Sequence, residues 1–206
     1  MRHALRNART KTAREQLTPS EIRRLERLMD LDPSEVQINE NQGHWLQSHA
    51  YLGGDGRGGQ INVGKDTPPS VLAHEMGHLT HGRSRLETAL AELSTALTPL
   101  AATIPSLIAM QSAHDSDWSR AAPYLGGALI APKLLTEGLA SYRGLTALNE
   151  VRPDVSMLPA ILAQLTYPVT LASTSILAPV LVTGMKAQKA QRQAVAAKKA
   201  PPKESR

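Results

Sequence analysis

The stretch "VLAHEMGHLTHG", Val71 to Gly82, places His74 and His78 four residues apart with Glu75 directly after the first. On a helix that spacing stacks two imidazoles on one face, one turn apart. Imidazole nitrogens hold zinc at about 2.0–2.1 Å, so two such rings can converge on one ion. Glu75 sits beside the ion rather than on it, in position to take a proton from an activated water. This is the H-E-x-x-H pattern of metal-assisted peptide hydrolysis. Gly77 keeps the helix slim where a second segment must approach.

A catalytic zinc needs a third protein ligand and one open position. The metzincin arrangement asks for Gly three residues after His78 and His three further on; the chain has His81 and Ser84 there. Glu87 and Glu92 lie nearer, with Glu87 expected on the next helix as it turns away. His114, Asp115 and Asp117 fall in a polar loop between apolar segments. Glu137 in "LLTEGLASYRG", 137 − 78 = 59 residues downstream, is the better candidate. Leu135, Glu137 and Ala140 suit a second helix, and Gly138 and Ala140 would let it pack closely on the first.

"HEMGH" followed far downstream by "EGLAS" resembles the gluzincins, closest in layout to the membrane metallopeptidases of the HtpX heat-shock and CAAX-prenyl-protease type. The resemblance covers the two motifs and the apolar spacer between them. It implies a zincin-like catalytic domain, Zn2+ held by His74, His78 and Glu137, and Glu75 as general base. It also implies a zinc metalloendopeptidase acting on peptide or protein substrates. The family has Asp four residues after the ligand Glu, bracing a zinc histidine; this chain has Ser141, which can accept a hydrogen bond but adds no charge. Tyr142, Arg143 and His81 are candidates for stabilising the developing oxyanion. The neutral brace keeps a rival reading in play, a catalytically degenerate zincin used as a membrane or assembly protein.

The elements that must position these residues follow from the patterning. "PSEIRRLERLMD", residues 19–30, is an amphipathic helix with Ser20 as its expected N-cap. "EVQIN", "HWLQSHAYL" and "GQINVG" read as short strands, with the glycine-rich "GGDGRGG" as a turn. That turn lacks the spacing and terminal Lys-Ser/Thr of a phosphate loop. Gln60–Gly64 is a candidate edge strand for pairing with an extended peptide. Asp66, Thr67 and Ser70 can cap a zinc helix spanning 68–81, with Gly82 as its stop. The expected fold is mainly α with a small β-sheet (α+β).

Beyond the zinc helix the chain turns apolar. Segments 93–110, 121–132 and 155–185 carry no charge. A helix needs about 20 apolar residues to cross a bilayer. Pro99 and Pro105 interrupt the first segment, and Trp118 and Tyr124 lie where an interfacial hairpin tip would use them. The mean hydropathy of −0.25 speaks against a membrane protein, although polar tails dilute it. The expectation is association with a membrane, active site and basic tail on the cytoplasmic side, against a soluble cytoplasmic helical core.

Charge divides the chain the same way. Residues 1–30 carry eight Lys/Arg and four Asp/Glu, residues 31–185 eight and thirteen, and residues 186–206 seven and one. Basic character belongs to the tails, so no specific nucleic-acid binding is expected. The division reads as a basic N-terminal segment with its helix, a metallopeptidase domain over 31–185, and a tail that is disordered or a frayed helix. Cys is absent, which excludes disulfides, thiolate ligands and cysteine nucleophiles. The start "MRHALRNARTKTAR" lacks the apolar core of a secretory signal. It is Arg-rich like a mitochondrial transit peptide but has no Ser.

Overall fold

A computed structural model describes residues 16–41, 48–52, 58–64 and 66–199. The basic start of the N-terminal segment, His44–Gln47 of the middle strand reading, most of the glycine-rich turn and the last seven residues lie outside them. Helix α1 spans Pro19–Leu28, followed by strands β1 (Val36–Asn41), β2 (His49–Leu52) and β3 (Gly59–Gly64). Helix α2 covers Pro69–His78 and runs into a 3-10 turn at Leu79–Arg83. Helices α3 (Arg85–Gln111) and α4 (Asp117–Val151) follow. Helix α5 (Leu158–Ala172) then passes through a π-helical turn at Ser173–Leu177 into α6 (Ala178–Lys199). The chain is therefore mainly helical with one small mixed sheet, as an α+β reading requires.

The helix starts differ from expectation. Thr18, not Ser20, caps α1: its hydroxyl accepts from the Glu21 amide, and the Glu21 carboxylate accepts from the Thr18 amide at 2.7 Å. This is a reciprocal capping box, and Thr18 wins because Glu21 stands three residues after it. No side chain caps α2, whose N-cap is Pro68. Thr67 instead donates to the Gly64 carbonyl at 2.6 Å, and Ser70 lies buried within the first turn. Two prolines at the start offset the missing cap, because they remove amides that would otherwise need partners.

The sheet order is β1-β3-β2, with β1 parallel and β2 antiparallel to β3. This corrects the edge-strand expectation for Gln60–Gly64: β3 is the central strand, bonded on both sides, and cannot pair with a further peptide. Ile61 and Val63 are buried, while Gln60 and its cross-strand partners Gln37 and Tyr51 are exposed. One face of the sheet thus joins the core and the other meets solvent.

Chain contacts divide the molecule into two compact units, residues 1–94 with 132–168, and residues 95–131 with 169–206. The first contains the sheet and a core of Leu25, Met29, Leu31, Ile61, Val63, Leu72, Ala73, Met76, Leu79, Ala147 and Leu148. That core joins α1, β3, α2 and the C-terminal part of α4.

The second unit is helical. Ala101 and Ile130 are buried there, with Leu129 and Ile176 packed against them. A Cβ on Gly126 would lie 1.8 Å from the Ser175 carbonyl oxygen, so glycine permits a helix to touch the π turn directly. Lys186 Nζ donates to the carbonyls of Ala109 (2.8 Å), Met110 and Ser112 (2.6 Å), closing the C-terminal end of α3.

Pro99 and Pro105 do not interrupt segment 93–110; α3 runs through both. A proline in a helix interior loses one backbone bond and crowds the preceding turn. Here Pro105 is fully buried, and its packing offsets that loss. Segment 121–132 is likewise continuous with the helix that carries Glu137. The basic tail is helical to Lys199, in keeping with its Ala, Gln and Lys content. Among the described residues one helix, α3, is long and apolar enough to cross a bilayer. The core helix of a soluble protein passes the same test.

Candidate metal centre

Helix α2 and the C-terminal part of α4 meet backbone to backbone. A Cβ on Gly77 would lie 2.0 Å from the Ala140 carbonyl oxygen, and one on Gly144 would lie 2.0 Å from the Ala73 carbonyl oxygen. One glycine from each helix removes the side chain at each crossing point. Gly138, expected to serve this purpose, faces open space instead. Ala140 is fully buried at the contact, and Gly144 is the partner that its sequence context did not single out.

This crossing brings His74, His78 and Glu137 together. Glu137 Oε2 lies 3.3 Å from His74 Nε2 and 3.3 Å from His78 Nε2, and the three potential ligand atoms all fall within 4.8 Å of one another. A charge-assisted hydrogen bond between such groups would be about 2.7–2.9 Å. Two ligands at zinc distance on a tetrahedron stand roughly 3.3–3.4 Å apart. The two Glu137–imidazole separations match the second value, and the three residues form a cluster that could hold a metal ion.

The tautomers fit as well. Ser141 Oγ donates to the Glu137 carbonyl at 2.7 Å, which uses its only proton. Its 3.0 Å contact with His74 Nδ1 is then one in which the imidazole N–H donates and the hydroxyl accepts. With Nδ1 engaged, Nε2 is the nitrogen left facing Glu137. His78 repeats the arrangement: its Nδ1 lies 3.2 Å from His81 Nε2. Burial, followed by the charges of His78 and Arg143, pushes His81 down to about 4, so His81 is neutral and can accept. Each imidazole is thus oriented by an uncharged acceptor. The arrangement leaves His81 Nδ1 buried with no hydrogen-bond partner among the described residues.

The carboxylates have opposite environments. Burial raises Glu75, and the neighbouring charges of His78 and His74 only partly counter it. Burial also pushes Glu137 up, but the contacts with His74 and His78 and the charge of Lys133 outweigh it. They hold that carboxyl well below the usual carboxylate range. Lys133 Nζ is 2.6 Å from Glu137 Oε1, a partner that the sequence reading missed although it stands four residues before Glu137.

Two oxyanion candidates are otherwise engaged. His81 is buried against His78. Arg143 holds Glu87 through two bonds, NH2 to Oε1 at 2.6 Å and NH1 to Oε2 at 3.0 Å, and also contacts the Thr80 carbonyl and hydroxyl. Glu87, nearer in sequence to His78 than Glu137 is, serves this clamp. Arg143 lowers its pKa, chiefly by hydrogen bonding. Tyr142 is exposed. Glu92 is absent from the ligand cluster, and His114, Asp115 and Asp117 belong to the helical unit. No family model matches the chain, and neither curated proteins nor solved structures give a match.

Proposed function

We propose that the protein is a zinc-dependent metalloendopeptidase with a zincin-like core, associated with a membrane through its apolar helices. The observation that carries this reading is the convergence of His74 Nε2, His78 Nε2 and Glu137 Oε2 from two separate helices, with Glu75 buried beside them. A bound zinc ion supplies Lewis acidity toward a water and the scissile carbonyl.

The chain's own residues supply the rest. Ser141 and His81 keep the two imidazoles in one tautomer and orientation. Glu75, made a stronger base by burial, takes the proton of the attacking water at its carboxylate and passes it to the leaving amine. Strand β2, an edge of the sheet among the described residues and packed near α2, is the strand that we propose an extended peptide would pair with. Helix α3, apolar and little buried, supports membrane association.

The neutral brace at Ser141 favours a second reading, a zinc-holding zincin core used in membrane assembly rather than catalysis. One experiment separates the two. The purified full chain in detergent is titrated with zinc and incubated with fluorogenic unstructured peptides, with and without chelator. Chelator-sensitive cleavage is expected, restored by zinc. Glu75→Gln should keep zinc and lose about 10²–10⁴-fold in rate, the usual worth of a positioned general base. Zinc binding without cleavage selects the assembly reading, and failure to bind zinc overturns both.

A further inference from the structure

Glu137 divides its two oxygens between different partners. Oε2 faces both imidazoles at 3.3 Å, while Oε1 lies 2.6 Å from Lys133 Nζ, one helical turn earlier. A lysine beside a site for a dication is unfavourable by simple Coulomb repulsion. Its presence there needs a compensating effect, and its contact identifies one. A carboxylate can grip zinc through one oxygen or both. Through both, it uses up a position that water or substrate needs. Lys133 takes hold of the oxygen that would make the second bond.

The pair is built to last. Lys133 and Glu137 share one helix at i, i+4, so their relative placement does not depend on how other elements move. Their side chains are only 24% and 15% exposed, which leaves little water to compete for the contact.

Resting on the zinc reading above, we infer that Lys133 is a positioning residue: its ammonium holds Glu137 Oε1, so that Glu137 meets the metal through Oε2 alone and a coordination position stays open. The opposite reading makes Lys133 a placeholder that compensates Glu137 until a metal displaces it. The two differ in sign. A positioning lysine strengthens and shapes the metal site; a placeholder competes with it.

The test uses the full chain in detergent, loaded with Zn2+ or Co2+, as wild type, Lys133→Met, Lys133→Gln and Lys133→Arg. Zinc affinity is read by competition with a chromophoric chelator. The Co2+ ligand-field bands, which weaken as coordination number rises, are read in the visible. Lys133→Met should bind zinc about 10- to 100-fold more weakly, the usual cost of losing an outer partner, and should weaken the cobalt bands. Lys133→Arg, which can still donate to Oε1, should restore both. Lys133→Gln keeps a neutral donor at the position and should fall between; it carries the test if Lys133→Met does not fold. Equal or tighter zinc binding on loss of the ammonium overturns the inference, as does a loss of affinity with unchanged cobalt bands. A wild type that binds neither metal sinks the zinc reading itself, which is a separate result.

Discussion

Gly77 of α2 meets Ala140 of α4 with no room for a side chain between them, a Cβ on Gly77 falling 2.0 Å from the Ala140 carbonyl oxygen. The reciprocal contact of Gly144 with Ala73 makes a two-point crossing. The candidate metal centre depends on this crossing, because the two imidazoles ride on one helix and the carboxylate on the other.

Gly77→Ala therefore tests the crossing. In an exposed helix interior, Gly→Ala gains about 1 kcal/mol. At Gly77 the sign should reverse, with a loss of roughly 1–3 kcal/mol from overpacking against backbone and weaker zinc binding. Gly138→Ala is the control: nothing lies within 4 Å of its added methyl, so the ordinary gain is expected. Denaturant unfolding of both variants checks the contrast.

Ser141→Ala removes the acceptor that orients His74. Zinc affinity should fall about 10- to 100-fold, with smaller effects on unfolding in chelator. Ser141→Asp offers a charged acceptor at the same position and should tighten zinc relative to Ser141→Ala. Chelator competition measures both.

Glu87→Gln breaks a two-bond ion pair that ties α3 to Arg143 on α4 and, through Arg143, to Thr80 in the 3-10 turn. A loss of about 1.5–3 kcal/mol is expected at neutral pH, since the bonds are charge-assisted and little exposed. The folded protein lowers the pKa of Glu87. Its contribution is therefore full above the ordinary carboxylate value and lost as pH falls through the lowered one. Wild type and variant should converge in acid, as pH-dependent unfolding will report.

His81 sets a second pH window, in the metal-free protein. Its pKa drops from 6.5 to about 4 on folding. The unfolded chain takes up this proton first, so stability should fall as pH is lowered from 6.5 toward 4, by about 3 kcal/mol at most. His81→Gln keeps a hydrogen-bonding side chain but cannot titrate. The wild-type-minus-variant difference should slope across that window and be flat above it.

Much of the site could be read along the chain because its chemistry is local. His74, Glu75 and His78 sit within five residues, and helical periodicity alone puts both imidazoles on one face. Glu137 could be proposed because a carboxylate among small residues suits a close helix crossing. The mainly helical class and the small sheet followed from composition and alternation.

Other features were out of reach for definite reasons. Strand order depends on pairing between segments more than 20 residues apart in β1 and β3, so nothing local marks β3 as central. The Thr18 cap was readable from Glu21 three residues on, but Ser20 masked it. Arg143 and Glu87 are 56 residues apart, and their pairing exists only once the helices are packed. His81 looked like a free donor because its burial against His78 is a product of packing.

The sequence by itself determined which groups could serve a metal and that two of them share a helical face, because i, i+4 spacing is a property of the helix alone. Only the tertiary structure decided which distant carboxylate faces them, which neutral groups orient the rings, and that Lys133 holds the other oxygen of Glu137. Those choices depend on side chains from separate turns and helices lying within a few ångströms. Here that closeness comes from two glycines letting two backbones touch.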